Sequence, residues 1–128
     1  LFYEIGLLPW QDRFLQRDQG WCLPAEGAVT AMAELLAAWG FTPREVLDFE
    51  EGWEHDLPPA PGYAVYPQLD PAPLTGLVLE PELPVHRLWL LVEDGTTCQA
   101  AEAPVVEPFD RSGPHGVEWG LVLGDIVR

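Results

Sequence analysis

The sequence contains no lysine, and its six basic residues are all arginines. Against them stand 21 aspartates and glutamates, so the net charge is -15. A surface this negative repels the phosphates of nucleic acid and of anionic lipid, and neither a nucleic acid nor a membrane is an expected partner. A basic protein fits such a charge better, although an acidic domain can also imitate nucleic acid.

Cysteine is scarce as well. The two cysteines, Cys22 and Cys98, are too few for a disulfide framework and wrongly spaced for a zinc site, so they are either two reduced thiols or one bridge. No apolar run reaches the roughly 20 residues that span a bilayer, and glycine-rich phosphate loops are absent. We therefore predict no cofactor and no membrane partner, and a cytoplasmic location is the default expectation.

One acidic segment deserves a separate test for metal binding. Residues 50–56 read Glu-Glu-Gly-Trp-Glu-His-Asp, and carboxylates with one imidazole are suitable ligands for a divalent cation. The spacing matches no known metal loop, so a solvated acidic helix end is the preferred interpretation and no metal site is predicted. The third histidine of the chain, His115, lies in a turn-forming sequence and is expected to face solvent.

Length and composition predict one domain over residues 1–128, because 128 residues with 48% hydrophobic content can bury a core. Apolar residues recur at helical spacing from Pro24 to about Trp39, which predicts a first helix over this range. Residues 42–45 then read Thr-Pro-Arg-Glu, a capping box with proline at the first helical position, which predicts a second helix to about Phe49.

The second half of the chain has the character of a sheet. A stretch rich in proline, glycine and acids at about 50–73 is interpreted as a surface excursion with one short strand. Apolar runs bounded by turn residues predict strands at 63–66, 76–79, 86–92, 104–106 and 117–127. The expected fold class is therefore α+β, with N-terminal helices packed on an antiparallel β-sheet.

The most specific motif is a glutamine, Gln16, that precedes Cys22 with five residues between them. Cys22 is predicted to lie at the start of the first helix. A thiolate gains from the partial positive charge at a helix N-terminus. A side-chain amide one loop upstream is placed to help hold an oxyanion. A histidine at the start of a strand, His86, would supply the base that a cysteine nucleophile requires.

This motif resembles the nucleophile region of small papain-like cysteine peptidases, particularly the bacteriocin-processing group. The similarity covers residues 16–40, with a tryptophan before the cysteine, and residues 84–95, where a histidine precedes an apolar strand. The resemblance implies a peptidase or acyl-transfer activity on a peptide or protein substrate. It assigns Cys22 as nucleophile, His86 as base, Glu107 or Asp110 as the group that orients the base, and Gln16 as oxyanion donor. Loss of catalysis with retention of the fold is an open alternative.

A second hypothesis needs no catalytic group. The segment from Trp53 to Pro73 combines acids, prolines and aromatic residues, and such a surface is suited to capture a basic protein, as immunity proteins and inhibitors do. The two hypotheses differ in what they require of Cys22. An enzyme needs a reduced, accessible thiol near His86, whereas a binding module tolerates a buried or bridged cysteine.

Overall fold

A computed structural model describes residues 3–98 and 102–124 of the chain, and these residues form an α+β fold, as predicted. The elements in chain order are a 3₁₀ helix Pro9–Phe14, β1 Trp21–Pro24, α1 Ala28–Ala38, α2 Pro43–Trp53, β2 Gly62–Gln68, β3 Val85–Asp94 and β4 Gly116–Leu123. No helix in the described ranges combines the length and the apolar character needed to cross a membrane.

The four strands form one sheet in the order β1-β2-β3-β4. The first three pair antiparallel, but β4 runs parallel to β3, with His86 opposite Val117. The sheet is therefore mixed, which corrects the antiparallel prediction. A parallel neighbour requires the chain to cross from the end of one strand back to its start. Residues 95–115 supply this crossover, so β3 and β4 begin side by side.

The first helix starts later than its apolar spacing predicts. Gly27, at φ 76°, adopts a left-handed conformation that separates β1 from α1, which begins at Ala28. Cys22 consequently lies on strand β1 and not at a helix N-terminus, which corrects its predicted placement. The helix ends at Ala38, and its buried side chains are Ala28, Met32, Ala33 and Leu36.

The second helix confirms its predicted start. The Thr42 side chain accepts a hydrogen bond from the Glu45 backbone, and the Glu45 side chain accepts one from the Thr42 backbone at 2.7 Å. This reciprocal capping box satisfies two N–H groups that the first helical turn leaves unpaired. The helix then continues to Trp53, beyond the predicted end at Phe49.

The segment at 50–73, interpreted from its sequence as a surface excursion, contributes to two secondary-structure elements of the fold. It contains the end of α2 and the whole of β2, which lies between β1 and β3. Tyr63 and Val65 of β2 are buried on the helix side of the sheet. No strand forms at 76–79 or at 104–106. The last predicted strand is present as β4, although its predicted residues 125–127 lie outside the described residues.

Apolar side chains cover both faces of β3, as expected of a central strand. Leu88, Leu90 and Val92 face the two α-helices and join the larger core cluster. Trp89 and Leu91 face the opposite side, where Leu74 and Val122 complete a smaller cluster against the N-terminal arm. The sheet is therefore the layer on which both halves of the core depend.

A buried amide attaches the N-terminal arm to the sheet. Gln68, only 2% exposed, accepts a hydrogen bond from the Gln16 N–H at 2.8 Å and donates one to the Gln16 carbonyl at 2.7 Å. The side chain thus binds both backbone groups of Gln16, as a neighbouring strand would. Leaving these groups unpaired would carry their desolvation penalty.

We predict that Gln68→Leu lowers the free energy of unfolding by about 1–3 kcal/mol, because the Gln16 backbone groups lose their partners inside the protein. Urea denaturation followed by tryptophan fluorescence measures the change. Gln19→Leu is the matched control, since the Gln19 side chain is exposed and should tolerate the same substitution within about 0.5 kcal/mol. Equal effects of the two substitutions would contradict this role of Gln68.

Candidate functional site

Cys22 forms a disulfide with Cys98, at an S–S distance of 2.00 Å and a Cα–Cα distance of 5.9 Å. The bond joins the edge strand β1 to the turn that follows β3, across the intervening strand β2. It closes a chain separation of 76 residues. A bridge across a loop of this length lowers the entropy of the unfolded chain. In the loop-entropy model, this stabilises the folded protein by about 4–5 kcal/mol. Both sulfurs are occupied, so neither is a thiolate nucleophile in this structure.

The structure also separates Cys22 from His86. Cys22 pairs with Ala64, and Ala64 pairs with Glu93 near the far end of β3. Glu93 lies seven residues along the strand from His86, or about 23 Å at about 3.3 Å per residue. A general base must lie within hydrogen-bond reach of the thiol that it activates. The group of side chains predicted for catalysis is therefore not assembled.

The remaining predicted residues have separate positions. Gln16 is held through its backbone by Gln68, which lies four residues along β2 from Ala64, the partner of Cys22. Glu107 is exposed and lies beside a shallow depression at the end of the sheet, together with Trp39 and Phe109. His86 and Asp110 lie near each other, since the charge of His86 acts on the Asp110 carboxyl.

His86 and Asp110 belong to a small cluster that also contains Phe109 and His115, and we refer to these four residues as the histidine cluster. The His86 ring stacks on Phe109 with centroids 4.9 Å apart and planes 15° apart. The His115 ring lies 5.5 Å from the His86 ring, centroid to centroid. Hydrogen bonds from the Ser112 hydroxyl and backbone lower the pKa of Asp110, and the charges of both histidines add to this effect.

The crossover after β3 brings these residues together. His86 is at the start of β3, and His115 immediately precedes the parallel strand β4. The register of the pair, with His86 opposite Val117, brings the two histidines close together. The Phe109 N–H donates to the Trp39 carbonyl at 2.9 Å, which attaches the crossover to the end of α1. The sequence gives no local signal for this cluster, because its histidines meet only through strand pairing.

An ion pair fixes the same crossover to α2. Arg111 donates to both carboxylate oxygens of Glu45, at 2.8 and 3.1 Å, and to the Gly40 carbonyl at 3.1 Å. Burial of the Glu45 carboxyl favours its neutral form, but the hydrogen bonds and charge of Arg111 and the cap from Thr42 outweigh burial and lower its pKa. Ionised Glu45 therefore stabilises the folded protein.

We predict that Glu45→Gln lowers the free energy of unfolding by about 1–3 kcal/mol at neutral pH. The folded-state pKa of Glu45 lies below its ordinary value of 4.5. The stabilisation is complete above that value and is lost as the pH falls through the folded-state pKa. The difference between wild type and variant should therefore shrink near pH ~3, as measured by urea denaturation at both pH values.

The control for this prediction is Asp48→Asn, which removes the same charge from the same helix. Asp48 pairs with Arg44 at 3.0 Å, but the Arg44 side chain is 75% exposed, and solvent weakens such pairs. We expect a change within about 0.5 kcal/mol. A Glu45→Gln effect no larger than this, or one that grows on acidification, would contradict the role assigned to the Arg111 pair.

The other distinctive surface is the C-terminal end of α2. The exposed residues Glu51, Glu54 and Asp56 surround this end, and we call these three residues the acidic helix end. The last turn of α2 contains no basic residue, and the sequence has no lysine or arginine between Glu45 and His86. A helix C-terminus already carries partial negative charge from its free carbonyl groups, so acids there are locally unfavourable.

The described residues offer no conventional metal centre. No group of three or more histidine, cysteine, aspartate or glutamate side chains within 3–98 and 102–124 is arranged to hold an ion. His55, which the acidic segment 50–56 contributes, is exposed beside the acidic helix end. The solvated helix end preferred for this segment matches the exposure of these side chains.

No family model, curated protein or solved structure matches the chain. The likeness to papain-like peptidases therefore stays a prediction from two sequence segments.

Proposed function

We propose that this domain is an acidic protein-binding module of the immunity or inhibitor type, which captures a basic protein. The observation that carries the proposal is the acidic helix end, where exposed carboxylates are concentrated at a helix terminus whose last turn contains no basic residue. Evenly distributed acids would suffice for solubility. Acids concentrated where the helix terminus disfavours them lower local stability, and a cationic partner would relieve that repulsion.

The net charge of -15 supports the same proposal. A strongly negative domain attracts a basic protein over long distances and raises its association rate, particularly at low salt. Near the acidic helix end, Leu47 is 42% exposed on the same helix and offers an apolar contact beside the charges. A small apolar centre next to a charged rim is the usual composition of a protein interface.

The recognition surface differs from the one expected from sequence. Trp53 is partly buried and packs against the core, and Tyr63 is 4% exposed. Aromatic residues of the segment 53–73 are thus engaged in the fold. We place the recognition surface on the outer side of α2, around the acidic helix end.

The disulfide favours a binding module over a peptidase. A peptidase of the papain-like type would require reduction of the Cys22–Cys98 bond and a displacement of Cys22 by the length of most of β3. A binding module requires neither change. Because it links the edge strand β1 to the turn that follows β3, the bond stabilises the scaffold that presents α2.

We predict that replacing the acidic helix end by Glu51→Gln, Glu54→Gln and Asp56→Asn weakens binding of the basic partner by about tenfold or more. Partners are captured on immobilised protein at low salt and identified by mass spectrometry. The affinity of each is then measured by surface plasmon resonance between ~50 and ~500 mM NaCl, where screening should weaken the wild-type complex.

A variant of equal charge separates local recognition from general attraction. Asp18→Asn, Glu26→Gln and Glu34→Gln neutralise three exposed acids elsewhere and should leave the affinity within about threefold of wild type. Equal losses in both variants would show that only net charge matters. The absence of any basic partner at low salt, or a complex insensitive to salt, would argue against the module.

A further inference from the structure

The histidine cluster has a feature that the proposed protein-binding function does not use. His86 and His115 are two of the three histidines of the chain, and strand pairing brings their rings to a centroid distance of 5.5 Å. We propose that these two side chains bind one divalent ion of a late transition metal, each through one ring nitrogen. Water or an external ligand would complete the coordination shell.

The ring separation agrees with chelation. Zinc binds imidazole nitrogen at about 2.1 Å, which places the ion about 3.3 Å from a ring centroid, and the centroids of a tetrahedral pair are then about 5.3 Å apart. The observed centroid distance of 5.5 Å is close to this separation. Imidazole is a suitable ligand for zinc, copper and nickel, whereas magnesium and calcium prefer oxygen.

One ring nitrogen of His115 can bind a metal through its lone pair. Its Nδ1 lies 2.9 Å from the Gly113 carbonyl, and a carbonyl can only accept a hydrogen bond. Neutral His115 therefore carries its proton on Nδ1, and the lone pair is on Nε2. A backbone carbonyl on the second nitrogen is a common outer partner of metal-binding histidines, because it fixes the tautomer and the ring orientation.

Stacking on Phe109 orients the His86 ring. Phe109 covers one face of this ring, and neither ring nitrogen has a hydrogen-bond partner within the described ranges. Asp110 uses Oδ1 to accept two hydrogen bonds from Ser112, at 2.9 and 2.7 Å, and adds an ionised carboxylate beside the pair. The net charge of -15 further raises the local concentration of cations. With two protein ligands, the site would be weaker than a structural zinc centre with four.

The chain supplies its own matched control for this proposal. His55 is exposed and has acidic neighbours, so His55→Gln removes one imidazole from a different acidic surface. Zinc chloride is titrated into wild type, His55→Gln, His86→Gln and His115→Gln at near-physiological salt, with binding measured by isothermal titration calorimetry. His115 follows an exposed turn, so its substitution should leave the fold intact, as checked by circular dichroism.

We expect one zinc ion per chain in wild type and in His55→Gln. Both His86→Gln and His115→Gln should weaken binding by at least about tenfold, since even outer-shell partners contribute 10–100-fold. Nitrogen-15 spectra of the histidine rings should show zinc-induced shifts at His115 Nε2 in wild type. Wild-type affinity in His115→Gln, loss of binding only in His55→Gln, or no saturable binding in wild type would each overturn the proposal.

Discussion

The central constraint on this molecule is the pairing of β3 with two neighbours that run in opposite directions. The strand has apolar side chains on both faces, so it is buried only if both sides of the sheet are covered. Its antiparallel pairing with β2 and the bridge from Cys98 to β1 secure the C-terminal end. Its parallel pairing with β4 brings His115 to the N-terminal end. The two chemically distinctive features thus lie at opposite ends of one strand.

This separation explains why the most specific sequence motif does not produce the expected site. A cysteine and a histidine in family-like order meet only if the fold brings a helix N-terminus to the start of a strand. Here Cys22 is in a strand, because left-handed Gly27 delays the helix to Ala28. His86 instead lies beside His115, and Cys22 forms a disulfide crosslink. Binding of a partner, rather than bond cleavage, is therefore the function that we propose.

Features determined by local interactions could be predicted from the sequence, and features determined by distant pairing could not. The capping box of α2 and the burial of β3 depend on residues close in the chain, and both are present as expected. The direction of β4 depends on the path of a long crossover that contains no clear pattern. Gln68 resembles any strand-end amide until the backbone of Gln16 is placed beside it. The predicted site residues failed to converge for the same reason, since spacing along the chain does not specify the order of strands in a sheet.

The reactivity of Cys22 in native protein purified without reductant shows whether this cysteine is a crosslink or a nucleophile. Iodoacetamide labelling across pH, with and without prior reduction, is followed by mass-spectrometric assignment of both cysteine sites. We predict that neither Cys22 nor Cys98 is labelled before reduction and that a peptide linked through both is recovered. Rapid labelling of Cys22 in the unreduced protein, with an apparent pKa well below about 8.5, would contradict it and restore the nucleophile hypothesis.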